Sequence, residues 1–236
     1  MNRRVAMWSG PRNLSTALMY SFRQRPDTEV VDEPLYGYYL AHTGLDHPGR
    51  NDVLAAMATD PRRVIDTVFA ADGDRPIRFS KNMAHHLVDL DLGFLDSLAN
   101  VLLTRHPARV LPSLQANGPD AGVDASGLPM QMAILDRIEA AGYAPVVLDA
   151  AEVLKDPPAV LAELCRRLDI PYTDAMLHWP AGPKPEDGVW AGHWYGSAHR
   201  STGFGPRRPD DDSIPHPLLD RCLPMYRRLH ALAIRA

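Results

Sequence analysis

Two cysteines in 236 residues, Cys165 and Cys222, give neither CxxC spacing nor the count of a disulfide framework. Cys165 falls in a helical pattern and reads as a buried free thiol, with pairing to Cys222 left open. No apolar run approaches the ~18 residues of a membrane-spanning helix. Arg3 and Arg4 precede a short apolar stretch, but Gly10-Pro11 ends it after about five residues, short of the roughly 7–15 of a secretory h-region. A cytoplasmic protein is the expectation. Excess positive charge is also missing: 25 Lys+Arg against 29 Asp+Glu leave a net charge of −4. With pI near 6.2 the whole chain does not read as a nucleic-acid binder, so any anion site must be built locally. No GxGxxG follows a strand, no GxSxG occurs, and no GK[ST] closes the one turn that resembles a phosphate loop. His85, His86, Asp89 and Asp91 complete no zinc pattern, and no metal is expected.

Hydrophobic residues at 45% and charged residues at 23% match an ordinary globular domain, and the length suits one domain over 1–236. The 22 prolines, many between 171 and 224, predict an irregular C-terminal third. Short apolar runs predict strands over 4–9, 28–32, 75–80, 100–104 and 144–148. Helical spacing fits 15–25, 51–58, 61–71, 107–117, 128–141, 157–168 and 217–235. The alternation implies an α/β three-layer sandwich: a central parallel sheet, crossovers on both faces and an irregular cap. Ligands of such sheets bind at the carboxyl ends of strands. The run Arg207–Asp212 reads as a solvated loop.

The most informative segment is Gly10-Pro11-Arg12-Asn13-Leu14-Ser15-Thr16, which follows a strand and opens a helix. That geometry aims backbone N–H groups at one spot, which favours phosphate or sulfate. Arg12 adds a fixed charge, and Ser15 and Thr16 add hydroxyls. A Ser/Thr-capped turn is equally a structural helix start, and the residues alone leave both readings open.

Pro11–Thr16 resembles the 5′-phosphosulfate loop of sulfotransferases, Pro-Lys/Arg-Ser-Gly-Thr-Thr, departing from it at Asn13 and Leu14. A second stretch, Val101–Arg105 with His106-Pro107 and with Ser113 eight residues after Arg105, resembles the family's 3′-phosphate motif. Asp156-Pro157 and Leu168-Asp169-Ile170-Pro171 resemble its later segments. The resemblance implies a P-loop NTPase-like fold and 3′-phosphoadenosine-5′-phosphosulfate as co-substrate. It also implies sulfuryl transfer to a hydroxyl or amine of a small-molecule or carbohydrate acceptor. Gly10–Thr16, Arg105 and Ser113 would then hold the donor.

The same resemblance supplies candidates for the chemistry. Glu33-Pro34, just past the second strand, is similar to the Glu-Pro of carbohydrate sulfotransferases, which makes Glu33 the candidate base. Otherwise Glu33 is a solvated loop acid and Asp32 braces the turn. Lys81 matches the lysine of the cytosolic enzymes' Lys-Thr-His, but Met83 stands at the histidine position, leaving His85 or His86 as substitutes. Arg12 and Lys81 would stabilise charge on the transferred group. The aromatic, glycine-rich stretch 188–204, with Arg200, Ser201, Thr202 and Gly203, fits either a lid gripping a phosphate or a packed capping loop. The segments 36–50 and 118–127 are candidate acceptor walls. The rival readings are a non-catalytic nucleotide-binding protein of this fold and a P-loop kinase-like phosphotransferase, which would need the missing lysine.

Overall fold

The computed structural model describes residues 2–115, 122–206 and 217–236; the side chains of 113–115 lie outside that description. So do the loop Arg207–Asp212 and the first part of the 118–127 segment. In chain order the elements begin with β1 (Arg3–Ser9), α1 (Ser15–Arg23), β2 (Thr28–Asp32), α2 (Tyr36–Thr43) and α3 (Arg50–Ala56). Next comes α4 (Pro61–Val64), which continues into a π-helical turn over Ile65–Ala70. Then β3 (Ile77–Met83) runs into a 3₁₀ turn, Ala84–Leu87, and β4 (Ala99–Thr104) into α5 (Pro107–Gln115). The chain goes on through α6 (Leu128–Ala140), β5 (Val146–Asp149), α7 (Ala150–Lys155) and α8 (Pro157–Arg167). Two single-turn helices, α9 (Ala191–Trp194) and α10 (Gly196–His199), precede α11 (Leu219–Leu232).

The five strands form one parallel sheet in the order β2-β3-β1-β4-β5. Strand periodicity divides the core. Val5 and Met7 of β1 face a cluster with α1 and α8, while Ala6 and Trp8 face a second cluster with α6 and α11. The three-layer α/β architecture expected from the sequence is therefore present. The chain leaves β1 toward β2 on one side and reaches β4 on the other, so the turn after β1 lies at the switch point where such sheets bind ligands.

Two local departures bear on the site. β3 starts and ends later than its apolar pattern suggests, taking Lys81, Asn82 and Met83 into the sheet. It lies between β1 and β2, with Lys81 beside Met7 on one side and Asp32 on the other, so ladder bonds hold its polar residues in register. The 36–50 segment is not an open loop. Tyr36, Tyr38, Tyr39 and Leu40 are buried along α2, and their burial makes a helix of a stretch with no clear 3.6-residue pattern. The proline-rich region after 170 is irregular as expected, with a 3₁₀ turn over Asp174–Leu177 and the short α9 and α10.

Candidate active site

The turn after β1 is built from unusual backbone. Arg12 (φ 62°) and Leu14 (φ 72°) are both left-handed and flank Asn13. In the orientation that satisfies both ends of its amide, Asn13 donates to Pro11 O at 3.1 Å and accepts from Gly10 N–H at 3.3 Å. Gly10 admits no side chain, because a Cβ there would lie 2.0 Å from Ser126 O. Leu14 occupies the N-cap of α1 and offers no side-chain cap, so the first-turn N–H groups have no capping side chain at the carboxyl edge of the sheet. A left-handed conformation costs a leucine more than a glycine, and the uncapped N–H groups beside it are of the kind that receive anions. Ser15 is buried, Thr16 partly so, and the Arg12 side chain is exposed at the turn.

The turn after β1 and the end of β4 meet. Arg105, just past β4, donates from Nη1 to Arg12 O at 2.8 Å, fastening the end of β4 to the left-handed residue of the β1 turn. Beneath them, Gln131 of α6 donates to both Trp8 O and Leu103 O at 2.9 Å, tying the ends of β1 and β4 together. Ser113 lies on α5, and its side chain is outside the described residues.

The carboxylates lie on the other side of the turn. Glu33 is left-handed (φ 42°), its N–H donates to Lys81 O at 2.8 Å, and its side chain is buried. Such a conformation is strained for a non-glycine residue, and here it turns the carboxylate back over the sheet edge. Lys81, fully buried, donates to Asp32 Oδ1 at 3.0 Å, to Glu33 Oε1 at very short range and to Tyr195 Oη at 2.5 Å. These three bonds use all the N–H donors of an ammonium. Tyr195 in turn donates to Asp32, with 2.8 and 2.9 Å to its two oxygens, and accepts from Trp190 Nε1 at 3.2 Å. Asp32 Oδ2 also accepts from Gly188 N–H at 3.2 Å. No hydrogen bond reaches Glu33 Oε2 among the described residues, so that oxygen keeps its basic lone pairs.

The electrostatics follow from burial. Two carboxylates share one ammonium, and burial raises the Glu33 pKa because Lys81 offsets the desolvation only in part. Burial works against the Lys81 charge, but Asp32 and Glu33 outweigh it and hold the ammonium protonated. Burial and the same carboxylates push the Tyr195 phenol far up.

The histidines form a different environment. His86 stacks on Tyr36 at 4.9 Å and on Tyr39 at 4.6 Å, with His85 edge-on to both Tyr39 and His86. Burial lowers the His85 pKa to about 4 and that of His86 well below the usual imidazole value. Both rings are neutral at pH 7, and burial makes each a weaker base than an ordinary imidazole. His86, not His85, feels the Lys81 ammonium.

The remaining candidates fasten the cap. Trp179 Nε1 donates to Ser201 Oγ at 3.0 Å, Trp179 N–H to Thr202 O at 3.1 Å, and Gly203 bridges to His178. Arg200 reaches Ser197 Oγ at 3.5 Å. Tyr195 and Trp190 are the site residues that the sequence did not single out by role. Their stretch stood out as aromatic, but Tyr195 is 114 residues from Lys81, and no local spacing signals that contact.

A family model described as "Sulfotransferase domain" matches residues 3–233. The chain belongs to the sulfotransferase domain family. Two Arabidopsis thaliana relatives, Branched-chain-amino-acid aminotransferase-like proteins 1 and 2, are 41% and 39% identical over 231 and 229 residues. Those matches take in 96% and 95% of this sulfotransferase-family chain but only 41% of each relative, so the chain spans about two fifths of their length. Among solved structures, the sulfotransferase domain of the Synechococcus PCC 7002 olefin synthase superposes with TM-score 0.65 at 18% identity, covering 97% of this chain and 94% of that one. The sulfotransferase domain from the curacin biosynthetic pathway gives 0.55 at 14%, covering 98% of each chain. At these identities the two structures support the shared fold. Among the described residues no group of three or more metal-ligating side chains occurs, and no helix is long and apolar enough to cross a membrane.

Proposed function

We propose that the chain transfers a sulfuryl group from 3′-phosphoadenosine-5′-phosphosulfate to a hydroxyl of a small-molecule or carbohydrate acceptor. One observation carries this reading: a lysine-free, left-handed anion turn is fastened by Arg105 to the end of β4, beside a buried carboxylate with one uncommitted oxygen. The turn suits the donor because the uncapped first-turn N–H groups of α1, with Arg12, face a sulfated phosphate, and Arg105 adds charge where the 3′-phosphate would lie. Ser113 on α5 is its proposed partner there, and the 200–203 stretch covers the donor from the cap.

When the donor is bound, Glu33 Oε2 takes the proton of the acceptor hydroxyl as its oxygen attacks sulfur. The sulfur–oxygen bond to the phosphate breaks, and the negative charge leaves on the nucleotide, stabilised by Arg12 and the helix start. Lys81 acts on Glu33. Its three N–H groups are already engaged, so it sets the position and basicity of the carboxylate and does not reach the leaving oxygen. A raised carboxyl pKa makes the carboxylate a stronger base, as proton abstraction at neutral pH requires.

The test is titration calorimetry with 3′,5′-adenosine bisphosphate against ATP–magnesium, followed by a screen of phenols, sugars and alcohols with sulfur-labelled donor. Tight binding of the bisphosphate, weak binding of ATP–magnesium and label transfer to one acceptor class are expected. Equal or tighter binding of ATP–magnesium overturns the reading in favour of a phosphotransferase. Bisphosphate binding with no transfer to any acceptor overturns the catalytic part and leaves a nucleotide-binding protein.

A further inference from the structure

The Tyr195 hydroxyl lies in a cluster where nothing in the loop's sequence calls for it. Trp190 and Tyr195 sit in the cap, far along the chain from β2 and β3, yet both side chains are buried against the carboxylates. The phenol has one proton and two lone pairs. The proton goes to Asp32, and the lone pairs accept from Lys81 and from Trp190. Its 3.4 Å contact with Glu33 Oε1 is long beside the 2.8 and 2.9 Å contacts with Asp32, so the phenol acts on Glu33 mainly through its neighbours.

The geometry points to Tyr195 as a positioning residue that keeps the Lys81 ammonium on Glu33 by neutralising part of the charge on Asp32. This rests on the reading of Glu33 as base, and it adds that the cap, through Tyr195, sets how strongly Glu33 holds a proton. The reasoning is a competition. Asp32 and Glu33 both draw the same ammonium, and each further donor to Asp32 weakens its hold. Asp32 has two such donors, the Tyr195 O–H and the Gly188 N–H, and both come from the cap. Removing the O–H draws Lys81 toward Asp32 and leaves Glu33 with less of its counter-charge, so Glu33 binds its proton more tightly. The other groups near Glu33 are the Tyr36 phenol and, across the aromatic stack, neutral His86. Neither bonds to Tyr195.

The experiment is carbon-13 NMR titration of the glutamate carboxyls in the wild-type protein and in Tyr195→Phe, with the Glu33 signal assigned by its loss in Glu33→Gln. Tyr195→Phe is expected to raise the Glu33 midpoint by about one pH unit, a roughly tenfold tighter hold on the proton. A residue that only packs the cap would lower the melting temperature and leave that midpoint unmoved, and this result overturns the proposal. If Tyr195→Phe does not fold, tyrosine ring-carbon labelling of the wild type carries the test. The Tyr195 ζ carbon must then titrate with the Glu33 midpoint and lose that transition in Glu33→Gln; a flat ζ signal overturns the proposal. Failure of the underlying reading looks different. If Glu33→Gln keeps wild-type sulfuryl transfer while Tyr195→Phe still moves the Glu33 midpoint, Glu33 is not the base and the coupling alone stands.

Discussion

At the scale of single residues, the site turns on which side chain has an uncommitted basic atom. Asp32 is bound by Lys81, Tyr195 and Gly188, and the buried His86 and partly buried His85 are neutral, weakly basic rings. Glu33 alone combines a raised pKa, a strained backbone that aims it and an oxygen outside the network. Glu33→Gln is nearly isosteric and keeps the amide oxygen available to Lys81, but it cannot take up a proton. Transfer is therefore expected to fall about 100-fold or more, the usual scale for a lost general base, with affinity for 3′,5′-adenosine bisphosphate unchanged. Single-turnover transfer and calorimetry on the same preparation check both halves. Loss of transfer in His85→Ala or His86→Ala, with Glu33→Gln active, would assign the base to a histidine instead.

At the scale of elements, legibility followed the range of the interactions. The strands around Val5, Val30, Leu102 and Val147 were readable because buried parallel strands are short apolar runs, and α8 because Asp156 caps it and Pro157 opens it. The extension of β3 through Lys81 was not readable, because a lysine enters a central strand only when distant carboxylates receive it. Nor was α2, whose tyrosines pack against His85 and His86 some fifty residues later. That contact between α2 and the 3₁₀ turn makes its own prediction. An unfolded histidine titrates near 6.5, whereas folded His85 titrates at about 4. Between those values the unfolded chain binds more protons, so stability is fully present above pH 6.5 and is lost as pH falls toward 4. His85→Phe keeps a ring edge-on to Tyr39 and removes the titration. The stability difference between wild type and His85→Phe should change by about 3 kcal/mol across that window, read from urea unfolding at several pH values. A constant difference would mean that His85 is not held in the fold as a neutral ring.

At the scale of the whole molecule, the chain gathers at one edge of the sheet groups that the sequence scatters: the turn after β1, Glu33 after β2, Lys81 in β3, Arg105 after β4 and Tyr195 of the cap. A donor spanning the β1 turn and the end of β4 would bind only the folded chain, so its binding should be visible in global stability. A ligand at 100 times its Kd adds about 2.7 kcal/mol to a protein that binds it only when folded. For a domain of this size that corresponds to a rise in Tm of about 5–10 °C. 3′,5′-Adenosine bisphosphate is expected to produce such a rise, and ATP–magnesium at the same concentration and ionic strength a much smaller one. Arg105→Ala should abolish most of the rise, because losing a charge-assisted contact of about 2 kcal/mol weakens binding roughly 30-fold. Arg109→Ala, one helical turn further along α5, is the matched control and should retain it. If the two variants respond alike, the 3′-phosphate is not held at the end of β4. If ATP–magnesium stabilises the protein as much as the bisphosphate does, the turn after β1 selects for polyphosphate and not for a sulfated donor.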